Sequence, residues 1–172
     1  PGDLLFIEHA DIGVDRTMYL VLVCIDAASN MIWAGAQKNK EHAETIETLN
    51  RCFRDLNIKP KALCADGYFQ EKDFIKWYQY HNIRPIPLGP HTPWPNRAEA
   101  AVKLFKHHAQ ILVDSIRRYE TEEPSLRQVT VEFILGRAAW ARNLALTYGG
   151  KCPLEIFTGR KPPDILDVEN MF

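Results

Sequence analysis

The chain has 172 residues, 46% of them hydrophobic and 25% charged, which is enough apolar material for one core and too much for a disordered chain. Its formal net charge of −1 provides no global basic field, so contact with nucleic acid has to come from a local patch. Cys24, Cys52, Cys64 and Cys152 form no C-x-x-C pair and share no metal-ligand spacing with His9, His42, His81, His91, His107 and His108, so a reducing compartment and no zinc site are expected. No signal-peptide pattern occurs, nor an apolar run of about 18 residues, and a soluble intracellular protein without membrane contact is expected. The opening Pro1-Gly2 reads as a cut from a longer chain.

In chain order, Leu4 to Ile12 is apolar apart from Glu8, His9 and Asp11, which suits a buried central strand. A turn over Gly13 to Thr17, the aliphatic run Tyr19 to Ile25, turn residues Asp26 to Asn30 and a strand from Met31 to Gln37 complete an antiparallel meander. From His42 to Asn57, Ala43, Ile46, Leu49, Phe53 and Leu56 recur at helical spacing with Thr45, Glu47 and Arg51 outward, and Pro60 closes that region. Lys61 to Ala65 is a short strand ending at Asp66-Gly67. A helix built on Phe74, Trp77 and Tyr78 spans Gln70 to Asn82, and Ile83 to Leu88 is a further strand.

The three prolines of Gly89 to Pro95 make a loop. Asn96 is placed to cap a long helix through about Tyr119, with Ala98 or Ala101, Val102, Phe105, Ala109, Leu112, Val113 and Ile116 buried. Pro124 suits the first turn of another long helix reaching about Leu146, and a short helix from Pro153 to Phe157 stops at Gly159 ahead of Pro162-Pro163. This order predicts an α/β domain with a mixed five-stranded sheet flanked by helices, the order of a ribonuclease H-like fold. It reads as one domain over residues 1–172, a core over 1–150 and a C-terminal extension over 151–172.

Three acids draw the eye within that pattern. Glu8 lies in the first strand, Asp66 follows the fourth, and Glu99 opens a helix carrying Lys103 and Lys106. Paired-metal phosphodiester chemistry needs clustered carboxylates that hold two divalent cations about 3.5–4 Å apart. Lys103 and Lys106, four and seven residues after Glu99, share its helix face and are placed to meet phosphates. The simpler readings are a solvated strand end for Glu8, a turn aspartate for Asp66, a first-turn acid favoured by the helix dipole for Glu99, and a Glu99 to Lys103 surface pair.

Five segments in order carry a resemblance: the first strand with Glu8, YLVLVCIDAASNMIWA (Tyr19 to Ala34), ALCADG (Ala62 to Gly67), TPWPNRAEAAVKLFK (Thr92 to Lys106) and CPLEIFTGRKPPD (Cys152 to Asp164). Over nearly its full length the chain resembles the catalytic core of retroviral and retrotransposon integrases, a family of DDE-type polynucleotidyl transferases. The resemblance implies metal-dependent DNA strand transfer by transesterification, Glu8, Asp66 and Glu99 as catalytic metal ligands for Mg2+ or Mn2+, Lys103 and Lys106 gripping DNA, a homodimer and a nuclear location. Two departures stand out. Glu8 occupies the position of the family's first Asp, and its extra methylene shifts the carboxylate in a site where Mg2+ geometry is exacting; the stretch after Asp66, GYFQ, also lacks the family's glycine two residues on.

Asp11 is the substitute ligand to weigh against Glu8, although strand alternation points it to the opposite face. Arg97, His107, Arg117 and Arg118 add positive charge near Glu99 and Asp114, and Trp94 and His91 in the proline-rich loop are placed either to touch a DNA end or to seal the loop. Asp26 reads as turn-forming and His9 as a strand-end or core histidine. Phe133, Arg137 and Trp140 belong either to a dimer face or to packing within the domain. The alternative to an enzyme is a domesticated, inactive integrase fold that serves protein interaction, dimerisation or DNA binding.

Overall fold

The computed structural model describes residues 1–14, 16–89, 97–119, 129–145 and 149–160. Its elements in order are strands β1 (Leu4–Val14), β2 (Thr17–Asp26) and β3 (Ile32–Gln37), helix α1 (His42–Leu56), strand β4 (Ala62–Ala65), a 3-10 turn (Gly67–Gln70), helix α2 (Lys72–His81), strand β5 (Arg84–Pro87), and helices α3 (Arg97–Tyr119), α4 (Val131–Ala145) and α5 (Pro153–Thr158). His91, Trp94, Asn96, Pro124, Leu146 and the Pro162-Pro163 exit lie outside the described residues, as does the side chain of Ala98.

The five strands are ordered β3-β2-β1-β4-β5. β1 pairs antiparallel with β2 and β2 with β3, while β4 joins β1 in parallel and β5 joins β4 in parallel. A parallel neighbour requires a crossover, and α1 and α2 supply the two. The sheet is therefore mixed and lies between two helical layers, as the element order predicts.

Alternation along the strands divides the core in two. Phe6, Ala10, Ile12, Val21, Val23, Ile25 and Cys64 face Ala101, Phe105, Ala109 and Val113 of α3 and Ile134, Leu135 and Ala138 of α4. Leu5, Ile7, Leu22, Cys24, Leu63 and Ala65 face Leu49 and Cys52 of α1 and Phe74, Trp77 and Tyr78 of α2. Each large side chain fully withdrawn from water, such as Phe105 or Phe74, contributes about 2 kcal/mol. All four cysteines are free and buried.

α1 departs from the expected stripe. Thr45, Thr48, Leu49 and Cys52 are its buried residues, whereas Ala43 is exposed and Ile46, Phe53 and Leu56 are half-buried. Thr45 was expected outward; it turns inward because its hydroxyl accepts a hydrogen bond from Gln37 Nε2 at 2.9 Å, and Thr48 donates to the Glu44 carbonyl at 2.9 Å, so neither hydroxyl is left unsatisfied. The helix stops at Asn57, whose φ of 52° is left-handed, ahead of Pro60.

Candidate functional site

The parallel pairing of β1 with β4 sets the first two acids side by side. Phe6 is opposite Cys64, and Glu8 and Asp66 each follow that pair by two residues, the interval that returns a strand side chain to the same face. That face carries α3, which packs on it through Ala101, Phe105 and Ala109 and brings Glu99 in its first turn. Arg97 tethers the start of α3: it donates to the Ala27 carbonyl at 2.9 Å and to the side chain of Asn30, and its guanidinium lies 5.8 Å from the Phe6 ring centroid. Among the positive charges of the expected patch, Arg97 thus also has a fastening role that its sequence neighbourhood did not reveal.

Glu8 is half-buried, and its Oε2 is buried without a hydrogen-bond partner among the described residues. Burial first, then the charges of Glu99 and Asp66, raise its pKa above the usual carboxylate value, while Lys106 opposes them. Three acids and one lysine from three separate elements therefore share one electrostatic neighbourhood. Asp66 and Glu99 are exposed, as are Lys103 and Lys106. Asp66 Oδ1 accepts the backbone N–H of Tyr68 at 3.1 Å, so it caps the 3-10 turn with one oxygen.

Carboxylate oxygens are the donors that hard divalent cations select, and an orphaned oxygen at Glu8 is a group that a cation would satisfy. As placed, no three His, Cys, Asp or Glu side chains among the described residues converge closely enough to hold a metal ion. The acids share a neighbourhood without forming a closed ligand shell.

Asp11 is exposed and lies on the other side of β1, where its charge reaches His9. Asp26 is only 1% exposed. It accepts from the Gly2 N–H at 2.7 Å, the Ser29 N–H at 2.8 Å and the Ser29 hydroxyl at 2.6 Å, which is the turn-forming role expected of it. His9 stacks on Phe69 at 5.1 Å, its Nε2 lies 3.2 Å from Gln37 Oε1, and burial lowers its pKa. Tyr68, Thr45 and Gln37 join it in a polar network that the sequence did not signal.

Comparison with protein-family models and with curated proteins found no match. Solved structures do match. The simian T-cell lymphotropic virus intasome in complex with PP2A regulatory subunit B56 gamma has a chain that aligns with a TM-score of 0.74 at 19% identity, covering 96% of this chain and 57% of that one. The HTLV-2 integrase catalytic core domain in complex with magnesium, in its dimeric form, aligns with a TM-score of 0.70 at 16% identity over 93% of this chain and 97% of that one. The BIV integrase catalytic core domain aligns with a TM-score of 0.66 at 16% identity, covering 99% and 98%. This chain thus spans a little over half of the intasome chain and nearly all of the isolated cores. With its sheet order and its flanking helices, the chain has the ribonuclease H-like fold of retroviral integrase catalytic cores.

Proposed function

We propose that this domain catalyses metal-dependent DNA strand transfer, with Glu8, Asp66 and Glu99 holding Mg2+ or Mn2+ and Lys103 and Lys106 gripping the DNA. The observation that supports the reading is that the Glu8 carboxyl, one oxygen of which is buried without a partner among the described residues, lies within the electrostatic influence of Glu99, Asp66 and Lys106. Divalent cations held by Glu8, Asp66 and Glu99 would supply activation of the attacking oxygen and stabilisation of the leaving one. The protein's part is to bring together the carboxylates of Glu8 on β1, Asp66 just after β4 and Glu99 on α3, and to hold the phosphates of the strand. Lys103 and Lys106 are exposed on the helix that carries Glu99, within reach of a backbone lying along α3. In the reaction a DNA 3′-hydroxyl oxygen bonds to phosphorus, one phosphorus–oxygen bond breaks, and the departing oxygen takes up a proton. The reading implies DNA as partner, a homodimer and work in the nucleus.

A second reading, an inactive fold used for protein interaction, is favoured by one observation: the acids do not form a closed ligand cluster, as expected if the longer Glu8 side chain misplaces its carboxylate. Disintegration, the reverse of strand transfer, on a branched DNA with Mn2+ separates the two. Wild type is expected to release product, and Asp66→Asn to release none. Product from Glu8→Asp alone, or from no variant, would overturn the enzymatic reading of the native chain.

A further inference from the structure

We propose that Tyr68 is a positioning residue for the Asp66 carboxylate, and that a His42 imidazolium clasp between α1 and α2 holds Tyr68 in place. The inference rests on the strand-transfer reading, in which Asp66 is a metal ligand.

Asp66 is exposed. What orients it is the hydrogen bond that Oδ1 accepts from the residue-68 N–H at 3.1 Å. The direction of the carboxylate therefore depends on where the backbone of Tyr68 is held. Tyr68 is fastened at both ends of its side chain. Its ring is enclosed by His9, His42, Phe69 and Phe74, with centroids 5.1, 5.4, 5.0 and 5.2 Å away. Its hydroxyl donates to the Lys40 carbonyl at 2.8 Å and lies 3.1 Å from Thr45 Oγ1.

His42 stands behind that ring at the first turn of α1. Its Nε2 is 2.9 Å from Glu71 Oε2 and its Nδ1 is 2.8 Å from Asp73 Oδ2. A neutral imidazole has a single N–H, so only the imidazolium donates to both carboxylates. Glu71 follows the 3-10 turn directly and is the N-cap residue of α2. The clasp thus ties the far end of the turn to α1, while β4 holds the near end at Asp66. Glu71 and Asp73 face His42 from α2 and Tyr68 faces it from the turn, with the Lys40 ammonium 5.1 Å from the Tyr68 centroid. The Asp73 hydrogen bond raises the His42 pKa above 6.5, burial opposes it, and Glu71 adds to the rise. A raised histidine pKa means that the clasp is complete below about pH 6.5 and is lost as pH rises through the folded-state value.

The test is amide hydrogen exchange at residue 68, corrected for the intrinsic pH dependence of exchange, alongside Mn2+ binding followed by water-proton relaxation. Tyr68→Phe keeps the ring and removes the hydroxyl; it is expected to lower protection about 3- to 10-fold and to weaken Mn2+ binding by a similar factor. In wild type, protection is expected to fall as pH rises through the raised folded-state pKa of His42, and in His42→Gln to be low and flat. If Tyr68→Phe fails to fold, Thr45→Val removes one hydroxyl contact and is expected to act in the same direction with a smaller loss. Equal protection in wild type and the hydroxyl-lacking variant overturns the proposal. Lost protection in a protein whose wild type ignores Mn2+ supports the positioning geometry and overturns the strand-transfer reading instead.

Discussion

Asp26 and Glu8 are acids on neighbouring strands of one sheet, and their surroundings give them opposite roles. Asp26 is enclosed and accepts three hydrogen bonds, which fix its carboxylate in one orientation. Glu8 has an oxygen with no partner and two like charges nearby, a combination more typical of a binding site than of a structural one. Asp26→Ala strands the Gly2 and Ser29 donors, and we expect it to lower unfolding free energy by about 2–4 kcal/mol in urea titration. A loss under about 0.5 kcal/mol would mean that the turn stands without its carboxylate. The role of Asp26 was legible from the sequence because Asp and Ser three residues apart form a local side-chain-to-backbone motif. The orphaned state of Glu8 was not, because it depends on what α3 and β4 leave around it.

At the scale of elements, β3 is an edge strand and carries backbone groups that the sheet cannot pair. α4 covers it. Asn143 Oδ1 accepts from the Ile32 N–H at 2.9 Å and Asn143 Nδ2 donates to the Ile32 carbonyl at 3.0 Å, so one side chain stands in for the next strand. Beside it Arg142 is buried and donates to the Asn30 carbonyl at 3.1 Å. Replacing Asn143 with Ala leaves both groups of Ile32 unpaired, and a loss of about 2–3 kcal/mol of unfolding free energy, seen as a lower urea midpoint, is expected; an unchanged midpoint would show that the edge does not depend on this pairing. A helix here was readable from the sequence, although it opens at Val131 and not near Pro124, whereas its docking was not, since the partners are 111 residues apart.

For the whole molecule, α4 also presents a surface. Phe133 is 51% and Trp140 47% exposed, and the Arg137 guanidinium lies 5.9 Å from the Phe133 centroid. Aromatic side chains left in water gain about 2 kcal/mol each when covered, and a second copy is the occupant implied by the homodimer proposed above. Wild type is expected to sediment as a dimer at micromolar concentration, and Phe133→Asp with Trp140→Asp as a folded monomer. A wild type that sediments as a monomer would overturn the dimer. No helix among the described residues is long and apolar enough to cross a membrane.

The sequence by itself determined the order and type of the main strands and helices and the turn at Asp26, because these follow from alternation, helical spacing and short-range hydrogen bonding. Tertiary structure alone decided the inward turn of Thr45, the tether at Arg97, the cage around Tyr68 and the double ion pair of His42. Each of these joins residues from different elements, and the energy of burying a polar group depends on a partner that local sequence does not specify.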